Sequence, residues 1–367
     1  MKELAEILKN TPVLSLINAK PMKKKSFICL DERDTIRAAL VTFITQDIES
    51  IPIRKFKGDT DERGADTLGE CKTCTTASCE NDPQYDDFAG IISLVNLLKF
   101  IFSTDYGTPI QEVLDSPLSR ITKEESIIQK IEFVRPEMSL IHLLLDVWGG
   151  ICNPTTKHID CKHLLTMTQS GKFEVVTPLD FLRHLLFINP NTTGCIKDSS
   201  AAEIENGLEV DENSMVCWGQ DIYDAVSRII QGDPSFLVAV VDEENGTLEA
   251  SVTFPDLLPK DVSLLDESIS MIKRKGISIH SYLNTLQKTA SPKSTIDPIL
   301  LYSHFTIYDL IEKLTRLRVH HLWRVTPDAK KKPIGAVGVN DILRYLCFMF
   351  RPFLQEKLPN GQITIQN

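Results

Sequence analysis

Four short segments combine a small or hydroxyl-bearing residue with an acidic or amide residue three positions later. They are Ser93 and Asn96, Thr177 and Asp180, Thr253 and Asp256, and Gly338 and Asp341. Each follows an apolar stretch typical of a strand and precedes one typical of a helix. Where a strand enters a helix, free backbone N–H groups and the helix dipole favour a phosphate. The hydroxyl can bind that anion, and the acid can accept two hydrogen bonds from a ribose diol.

The four segments differ in the chemistry that they offer. The second and third supply both a hydroxyl and an acid, so we expect Asp180 and Asp256 to be the best ribose ligands. In the first segment, Asn96 can hydrogen-bond a diol but lacks the charge that strengthens the contact. In the fourth, Asp341 keeps the acid, but Gly338 stands where a hydroxyl is expected. A phosphate contact is therefore in doubt in the fourth segment.

The same residues also fit a structural role as helix caps. The segment Thr177-Pro178-Leu179-Asp180 is close to an ideal helix start, with threonine as the cap, proline first and an acid third. The segment from Thr253 to Asp256 has the same pattern. We therefore expect these residues to cap helices, whether or not they also hold a ribose.

A phosphate site also needs cations. The segments CKHLLTMTQSGK and VHHLWRVTPDAKKK align so that Lys162-His163 matches His320-His321, just before a predicted strand. We take these four residues as candidate phosphate contacts and Arg324 as a supporting candidate. A neutral histidine binds phosphate more weakly than arginine, and its charge changes near pH ~6.5. The alternative is that the histidines border a strand and bond only to nearby polar groups.

The elements that position these residues recur four times along the chain. A cap residue followed by an apolar residue begins an amphipathic helix at Thr35-Ile36, Ser139-Leu140, Asp221-Ile222 and Thr306-Ile307. Later in each repeat, FAGIISLVNLLKF, KFEVVTPLDFLRHL, GTLEASVTFPDLL and PIGAVGVNDILRYL predict a strand followed by a helix. Ser93, Thr177, Thr253 and Gly338 are spaced by 84, 76 and 85 residues. The spacing predicts four small α/β units of similar size.

These strand–helix segments resemble the cystathionine-β-synthase-type (CBS) family, in which a strand leads through G-h-h-[ST]-x-x-[DN] into a helix. The matches are Gly90–Asn96, Val175–Asp180 (without the glycine), Ser251–Asp256 and Gly335–Asp341. The resemblance covers about residues 14 to 350. It implies an α/β (α+β) fold of four CBS repeats, arranged as two tandem pairs in a pseudo-symmetric disc.

The resemblance also divides the chain. It implies an N-terminal helical segment, four CBS repeats and a C-terminal tail. In that order the ranges are 1–13, then 14–105, 106–190, 196–265 and 266–352, then 353–367.

The segments FAGIISLVN and VHHLWRV are similar to the γ subunits of AMP-activated/SNF1-type protein kinases. That likeness implies a non-catalytic subunit that senses AMP, ADP or ATP and has kinase catalytic and scaffold subunits as partners. In that group a His-Arg pair takes the place of His320-His321, so His321 stands where arginine is expected. The second repeat there usually lacks the acid that this chain has at Asp180. The nucleotide sites that are occupied in the γ subunits therefore do not indicate which sites are occupied in this chain.

A second function stays open. The chain could be an interaction scaffold, or a phosphatase or stress regulator, in which the nucleotide clefts are degenerate. Asn96, Gly338 and His321 favour this alternative, because each departs from the residue that a nucleotide site would use.

Composition narrows the function classes. The net charge of -10 and the pI of about 5.4 argue against nucleic-acid binding. No apolar stretch is long enough for a membrane span, and the first residues do not resemble a signal peptide. The nine cysteines stand mostly in apolar contexts, which favours the reducing cytoplasm or nucleus. No catalytic motif is recognisable, so we expect no enzymatic activity.

An acidic insertion, residues 58–87, interrupts the first repeat. It has few apolar groups and contains Cys71, Cys74 and Cys79. The spacing of the first two cysteines fits a zinc knuckle, but the insertion offers no histidine as a fourth ligand. We do not expect zinc there, and exposed redox-sensitive thiols or a plain surface loop are the alternatives.

Overall fold

The computed structural model describes most of the chain. The described residues are 1–19, 27–46, 48, 50–56, 87–104, 107–124, 127–149, 163–168, 171–188, 193–204, 208–209, 214–231, 237–253, 255–289, 297–317, 319 and 321–353. Residues 58–86 of the predicted insertion, with Cys71, Cys74 and Cys79, lie outside these residues, as do Lys162 and His320.

Helices and short strands alternate along the described residues. The α-helices are α1 (Lys2–Asn10), α2 (Leu14–Asn18), α3 (Ile36–Gln46), α4 (Leu94–Ser103), α5 (Ile110–Leu114), α6 (Ser119–Thr122), α7 (Leu140–His142), α8 (Pro178–Phe187), α9 (Gly194–Asp198), α10 (Ile222–Gln231), α11 (Leu265–Lys273), α12 (Ile279–Thr289), α13 (Ile307–Leu317) and α14 (Val339–Phe350). The strands are β1 (Leu30–Asp31), β2 (Ser50–Arg54), β3 (Phe88–Ser93), β4 (Glu132–Phe133), β5 (Leu164–Met167), β6 (Phe173–Val176), β7 (Leu208–Glu209), β8 (Met215–Cys217), β9 (Leu237–Val241), β10 (Leu248–Thr253), β11 (Leu300–Leu301), β12 (His321–Val325) and β13 (Pro333–Gly338). In the described residues every helix is too short or too polar to cross a membrane.

Four small sheets share one topology. Their strand orders are β1-β2-β3, β4-β5-β6, β8-β9-β10 and β11-β12-β13, and β7 extends the fourth sheet at β13. In each sheet the first strand runs parallel to the second, and the second pairs antiparallel with the third. We define units 1 to 4 as these sheets, each with the helix after its first strand and the turn after its third. The predicted domain boundaries themselves stay a prediction.

The helix after the first strand begins where the sequence predicts in all four units, at Ile36, Leu140, Ile222 and Ile307. The first N–H of a helix has no partner within the helix. Here each one donates to a carbonyl of another segment. The pairs are Ile36 to Ser116 at 3.0 Å, Leu140 to Thr11 at 2.8 Å, Ile222 to Ile277 at 2.9 Å and Ile307 to Ser199 at 3.0 Å. One contact repeated four times is structural evidence for the internal repeat.

Consecutive units pack together through their sheets. Between units 1 and 2, Phe88 and Phe173 meet edge to face with ring centroids 5.4 Å apart, and Leu165 is buried beside them. Between units 3 and 4, the buried Ala239 and Trp323 belong to one apolar cluster. The sheets therefore join the chain into two tandem pairs.

The helices join the two pairs crosswise. One large apolar core combines the helices of units 1 and 3, and a second combines those of units 2 and 4. In the second core, α8 contacts both α13 and α14. Leu4 and Leu8 of α1 are buried in the same core, so the predicted N-terminal helix packs on the body of the protein. The result is the predicted arrangement of two tandem pairs.

Unit 3 departs from the prediction at its second helix. The sequence predicts a helix after Thr253, but the structure has only a 3₁₀ turn at Pro255–Leu257. Pro259 follows two residues after the end of this turn, and proline lacks the N–H and disfavours a helical conformation in the residue before it. The helix therefore cannot propagate in this unit.

Unit 2 departs from the prediction in its first helix. After α7 the chain continues as a π-helix at Leu143–Trp148. A π-helix shifts the backbone hydrogen-bond register by one residue. The thiol of Cys347 in α14 donates to the Leu144 carbonyl at 3.2 Å, so a group from unit 4 binds this irregular turn.

Gly90 in β3 has a packing role that can be tested. A Cβ atom there would lie 2.4 Å from the Cγ1 of Ile128 and 2.9 Å from the Gln129 carbonyl oxygen. We expect Gly90→Ala to lower the free energy of unfolding by about 1–3 kcal/mol, measured by urea denaturation. Gly107→Ala is the control, because a Cβ at Gly107 meets nothing within 4 Å. Equal stability of the two variants would contradict the close packing.

An ion pair links units 1 and 3. Arg37 in α3 binds Asp115 at 2.9 Å and also Asp266 in α11. Burial alone would lower the pKa of Arg37, but hydrogen bonds to the two carboxylates raise it. A double-mutant cycle of Arg37→Met and Asp266→Asn should give a coupling energy of about 1 kcal/mol, because both side chains are about one third exposed. A coupling near zero would mean that the pair does not contribute to the contact between these units.

Candidate functional site

The candidate residues stand at the turn after the third strand of each unit, which we call the closing turn. The closing turns lie at Ser93, Thr177, Thr253 and Gly338. In units 1, 2 and 4 the turn leads directly into α4, α8 and α14. The structure therefore places three of the four predicted sites at the N-terminus of a helix of ten or more residues.

The closing turn of unit 2 forms a complete capping box. The Thr177 hydroxyl accepts a hydrogen bond from the Asp180 N–H at 3.2 Å. In return, Asp180 Oδ2 accepts from the Thr177 N–H at 3.0 Å and from the Thr177 hydroxyl at 2.9 Å. The predicted cap role of both residues is confirmed.

The other closing turns keep parts of this pattern. In unit 3, Asp256 Oδ2 accepts from the Thr253 N–H at 2.8 Å and from its hydroxyl at 2.5 Å. In unit 4, Asp341 Oδ2 accepts from the Gly338 N–H at 2.8 Å. In unit 1, the Ser93 hydroxyl accepts from the Asn96 N–H at 3.2 Å.

Two arginines that the sequence analysis did not consider lie beside the acids. Arg183 Nη1 lies 3.6 Å from Asp180 Oδ1, and Arg344 Nη1 lies 3.9 Å from Asp341 Oδ1. All four side chains are at most about one quarter exposed. The sequence contains a pattern that could have predicted these arginines. LDFLR and NDILR both place arginine three residues after the acid, on the same helix face.

A histidine stands opposite the closing turn in the same two units. His321 is the first residue of β12 and pairs in register with Gly338. His163 directly precedes β5, whose Leu164 pairs with Val176, so His163 comes level with the Thr177 turn. The register thus supports the predicted equivalence of the two histidines. The predicted position just before the strand holds for His163, whereas His321 lies within the strand.

Arg324 lies next to the closing turn of unit 4. Its guanidinium donates to the backbone carbonyls of Ala201, at 3.4 Å, and Ile204. Burial lowers the pKa of Arg324, and the Asp341 carboxylate acts in the opposite direction. Arg324 therefore contributes positive charge near Asp341 while part of its hydrogen-bonding capacity is used by these carbonyls.

In units 2 and 4, therefore, an acid and an arginine lie together at a helix N-terminus, and the strand register places a histidine opposite the same turn. Unit 3 differs, since the buried Leu237 of β9 pairs with Thr253. Unit 1 also differs, since Ser50 pairs with Ser93. Chemically, units 2 and 4 can offer a carboxylate to a diol and cations to a phosphate.

The same capping geometry also occurs outside the closing turns. At the start of α13, Asp309 Oδ2 accepts from the Thr306 N–H and hydroxyl, both at 2.8 Å, and the Thr306 hydroxyl accepts from the Asp309 N–H at 3.2 Å. The capping box alone therefore does not identify a ligand site. The neighbouring arginine and histidine distinguish units 2 and 4.

Other chemical features lie apart from the closing turns. Surface pockets of about 340 Å³ and 440 Å³ are lined by residues around Pro12 and Pro136 and around Trp218, respectively, and neither includes a closing-turn residue. Within the described residues no three His, Cys, Asp or Glu side chains are grouped so as to hold a metal ion.

The architecture is that of tandem CBS-domain proteins, with four sheet-and-helix units in two pairs. Residues 294–347, which contain most of unit 4, match the CBS-domain family. CBS domains commonly bind adenine nucleotides and are typically regulatory.

Solved structures provide a second comparison. A protein from Methanocaldococcus jannaschii, described as a proposed archaeal homologue of γ-AMPK, is 13% identical over 92% of this chain and 100% of its own, with a TM-score of 0.56. An uncharacterised conserved protein from Pyrococcus horikoshii is 15% identical over 87% of this chain and 95% of its own, with a TM-score of 0.44. No curated protein matches the sequence significantly. The identities are low, so the first of these structures supports the fold alone.

His184, one helical turn after Asp180, should make stability depend on pH. Its Nδ1 is buried without a hydrogen-bond partner in the described part of the chain, and burial lowers its pKa. As the pH falls through about 6.5, the unfolded chain takes up the proton first, so the folded state loses stability. Urea denaturation between pH 7.5 and 5.5 should show a steeper loss for the wild type than for His184→Gln. Parallel pH profiles would contradict this assignment.

Proposed function

We propose that this protein is a non-catalytic regulatory protein that binds adenine nucleotides at the closing turns of units 2 and 4. The observation that carries the proposal is the repeated set of acid, arginine and histidine at a helix N-terminus. In unit 4 this set is Asp341, Arg344 and His321, and it overlaps the CBS domain. AMP, ADP and ATP are the ligands that the fold favours.

In this proposal the carboxylates bind the ribose. Asp180 and Asp341 use Oδ2 for the cap, so we assign the contact with the diol to Oδ1. Arg183 and Arg344 lie at the longer distances of 3.6 and 3.9 Å from these Oδ1 atoms, so each can turn from the carboxylate to a phosphate. A bound nucleotide would thus replace a loose ion pair with two shorter, charge-assisted contacts.

The phosphates then meet cations and helix N–H groups. His163 and His321 lie opposite the turns, and we retain Lys162, His320 and Arg324 as further contacts from the sequence analysis.

Units 1 and 3 are weaker candidates in this proposal. Ser93 and Asn96 offer no acid. Thr253 precedes, and Asp256 lies within, a 3₁₀ turn of three residues, whose dipole is smaller than that of a helix. We therefore propose that these two turns contribute mainly to structure.

We further propose that nucleotide occupancy is transmitted to a protein kinase complex of the AMP-activated/SNF1 type, in the cytoplasm or nucleus. The sequence likeness to γ subunits supports this partner, as does the structural similarity to the M. jannaschii protein, which is described as a proposed archaeal homologue of γ-AMPK. A nucleotide can bias the partner only as far as it binds two conformations differently.

A scaffold with degenerate clefts is the second candidate function. Thr306 and Asp309 make the same capping hydrogen bonds as Thr177 and Asp180, but outside the proposed sites. This favours a scaffold, because the same hydrogen bonds form where no ligand site is proposed. The carbonyl partners of Arg324 also favour it, because they occupy a cation that a phosphate would need. A scaffold of this kind should not be stabilised by nucleotides.

Thermal unfolding with AMP, ADP, ATP and GTP separates the two functions. At about 100 times the dissociation constant, a specific ligand adds about 2.7 kcal/mol and should raise the midpoint by about 3 °C for a chain of this length. We expect adenine nucleotides to give this shift, and Asp180→Ala and Asp341→Ala each to reduce it.

Asp309→Ala is the matched control, since it breaks the same type of capping box outside the closing turns. It should lower stability by about 1 kcal/mol but leave the nucleotide shift intact. If the folded protein gave no shift with any nucleotide, the scaffold function would be favoured instead.

A further inference from the structure

The pocket of about 440 Å³ in unit 3 has no role in the proposed nucleotide sites. Its lining residues are Trp218, Glu249, His280, Leu283 and Asn284. Leu283 is buried and supplies an apolar wall, whereas Glu249, His280 and Asn284 are exposed. The pocket thus combines an aromatic ring, an apolar wall and polar groups at its rim, the composition of a small recognition site.

Two contacts fix the indole of Trp218 in this pocket. Its Nε1–H donates to Glu249 Oε2 in β10. The His280 ring meets it edge to face, with ring centroids 5.7 Å apart and an angle of 87°. Of the three tryptophans, Trp148 and Trp323 are at most 1% exposed, whereas Trp218 is partly exposed. A carboxylate and a partly exposed ring are therefore held side by side.

The charge around the pocket is negative. The lining includes one acid and no lysine or arginine. Next to Trp218, burial raises the pKa of the Cys217 thiol, and the charges of Glu243 and Asp242 raise it further, against the opposing effect of Arg228. The hairpin acids and the neighbouring Lys331 and Lys332 act in opposite directions, so the charge that favours a cationic occupant is that of Glu249 in the lining.

We propose that this pocket binds an arginine side chain of a partner polypeptide. A guanidinium is planar, so it can stack on the indole face while it donates hydrogen bonds to the Glu249 carboxylate. A lysine ammonium would make a point contact without the stacking surface. The single acid of the lining complements a basic partner.

Tryptophan fluorescence of the full chain tests the proposal. The probe is a blocked pentapeptide with arginine between two pairs of glycines, compared with the same peptide carrying neutral citrulline. Because Trp148 and Trp323 are buried, a change in emission on adding the peptide reports on Trp218. We expect a saturable change with the arginine peptide, with a dissociation constant on the order of 1 mM for one side chain, and no saturable change with the citrulline peptide.

Two matched variants locate the contact. Glu249→Gln removes the charge inside the pocket and should weaken binding of the arginine peptide at least about tenfold. Glu244→Gln removes an equal charge from the exposed hairpin outside the lining, and its affinity should stay within about twofold of the wild type. Trp218 remains as the fluorescent probe in both variants.

Either of two results overturns the proposal. One is an equal response to the arginine and citrulline peptides in the wild type. The other is equal affinity of the folded Glu249→Gln and Glu244→Gln variants for the arginine peptide. If Glu249→Gln does not fold, the comparison of the two peptides on the wild type decides by itself. Nucleotide binding is not part of this test, so the two proposals stand or fall separately.

Discussion

The structure depends on the need of each small sheet to be covered on both faces. A three-stranded sheet with strands of two to six residues cannot enclose an apolar core alone. One face of each sheet is therefore covered by the sheet of the neighbouring unit and the other by helices. The closing turns lie where these layers meet, so the same packing that stabilises the fold also positions the candidate ligand residues.

The sequence predicts the elements that depend on local chemistry. The first helix of each unit begins at the predicted residue. A cap residue and apolar residues at helical spacing, all within a few positions of one another, determine where such a helix begins. The second helix of unit 3 was predicted wrongly. The cap at Thr253 favours a helix, but Pro259 prevents the helix from continuing. The π-helix at Leu143–Trp148 was not predicted, because its partner Cys347 is about 200 residues away in the chain.

The candidate site is predicted less completely than the fold. The acids and caps could be read from spacing, and the strand register supports the equivalence of His163 and His321. The sequence analysis did not predict Arg183 and Arg344, because they belong to the helix that follows the turn and not to the turn itself. The geometry at Asp309 explains why a cap motif cannot by itself reveal a ligand: one set of hydrogen bonds serves both roles.

The crosswise packing of the units has a consequence for how the chain folds. Sheet contacts join neighbours in sequence, whereas helix contacts join unit 1 to unit 3 and unit 2 to unit 4. The helix contacts close longer loops, so they carry the larger entropic cost and the higher contact order. The tandem pairs should therefore form first and dock later, and a newly made first pair would expose its helical faces until the second pair leaves the ribosome. During that interval the faces are available to the corresponding half of another nascent chain.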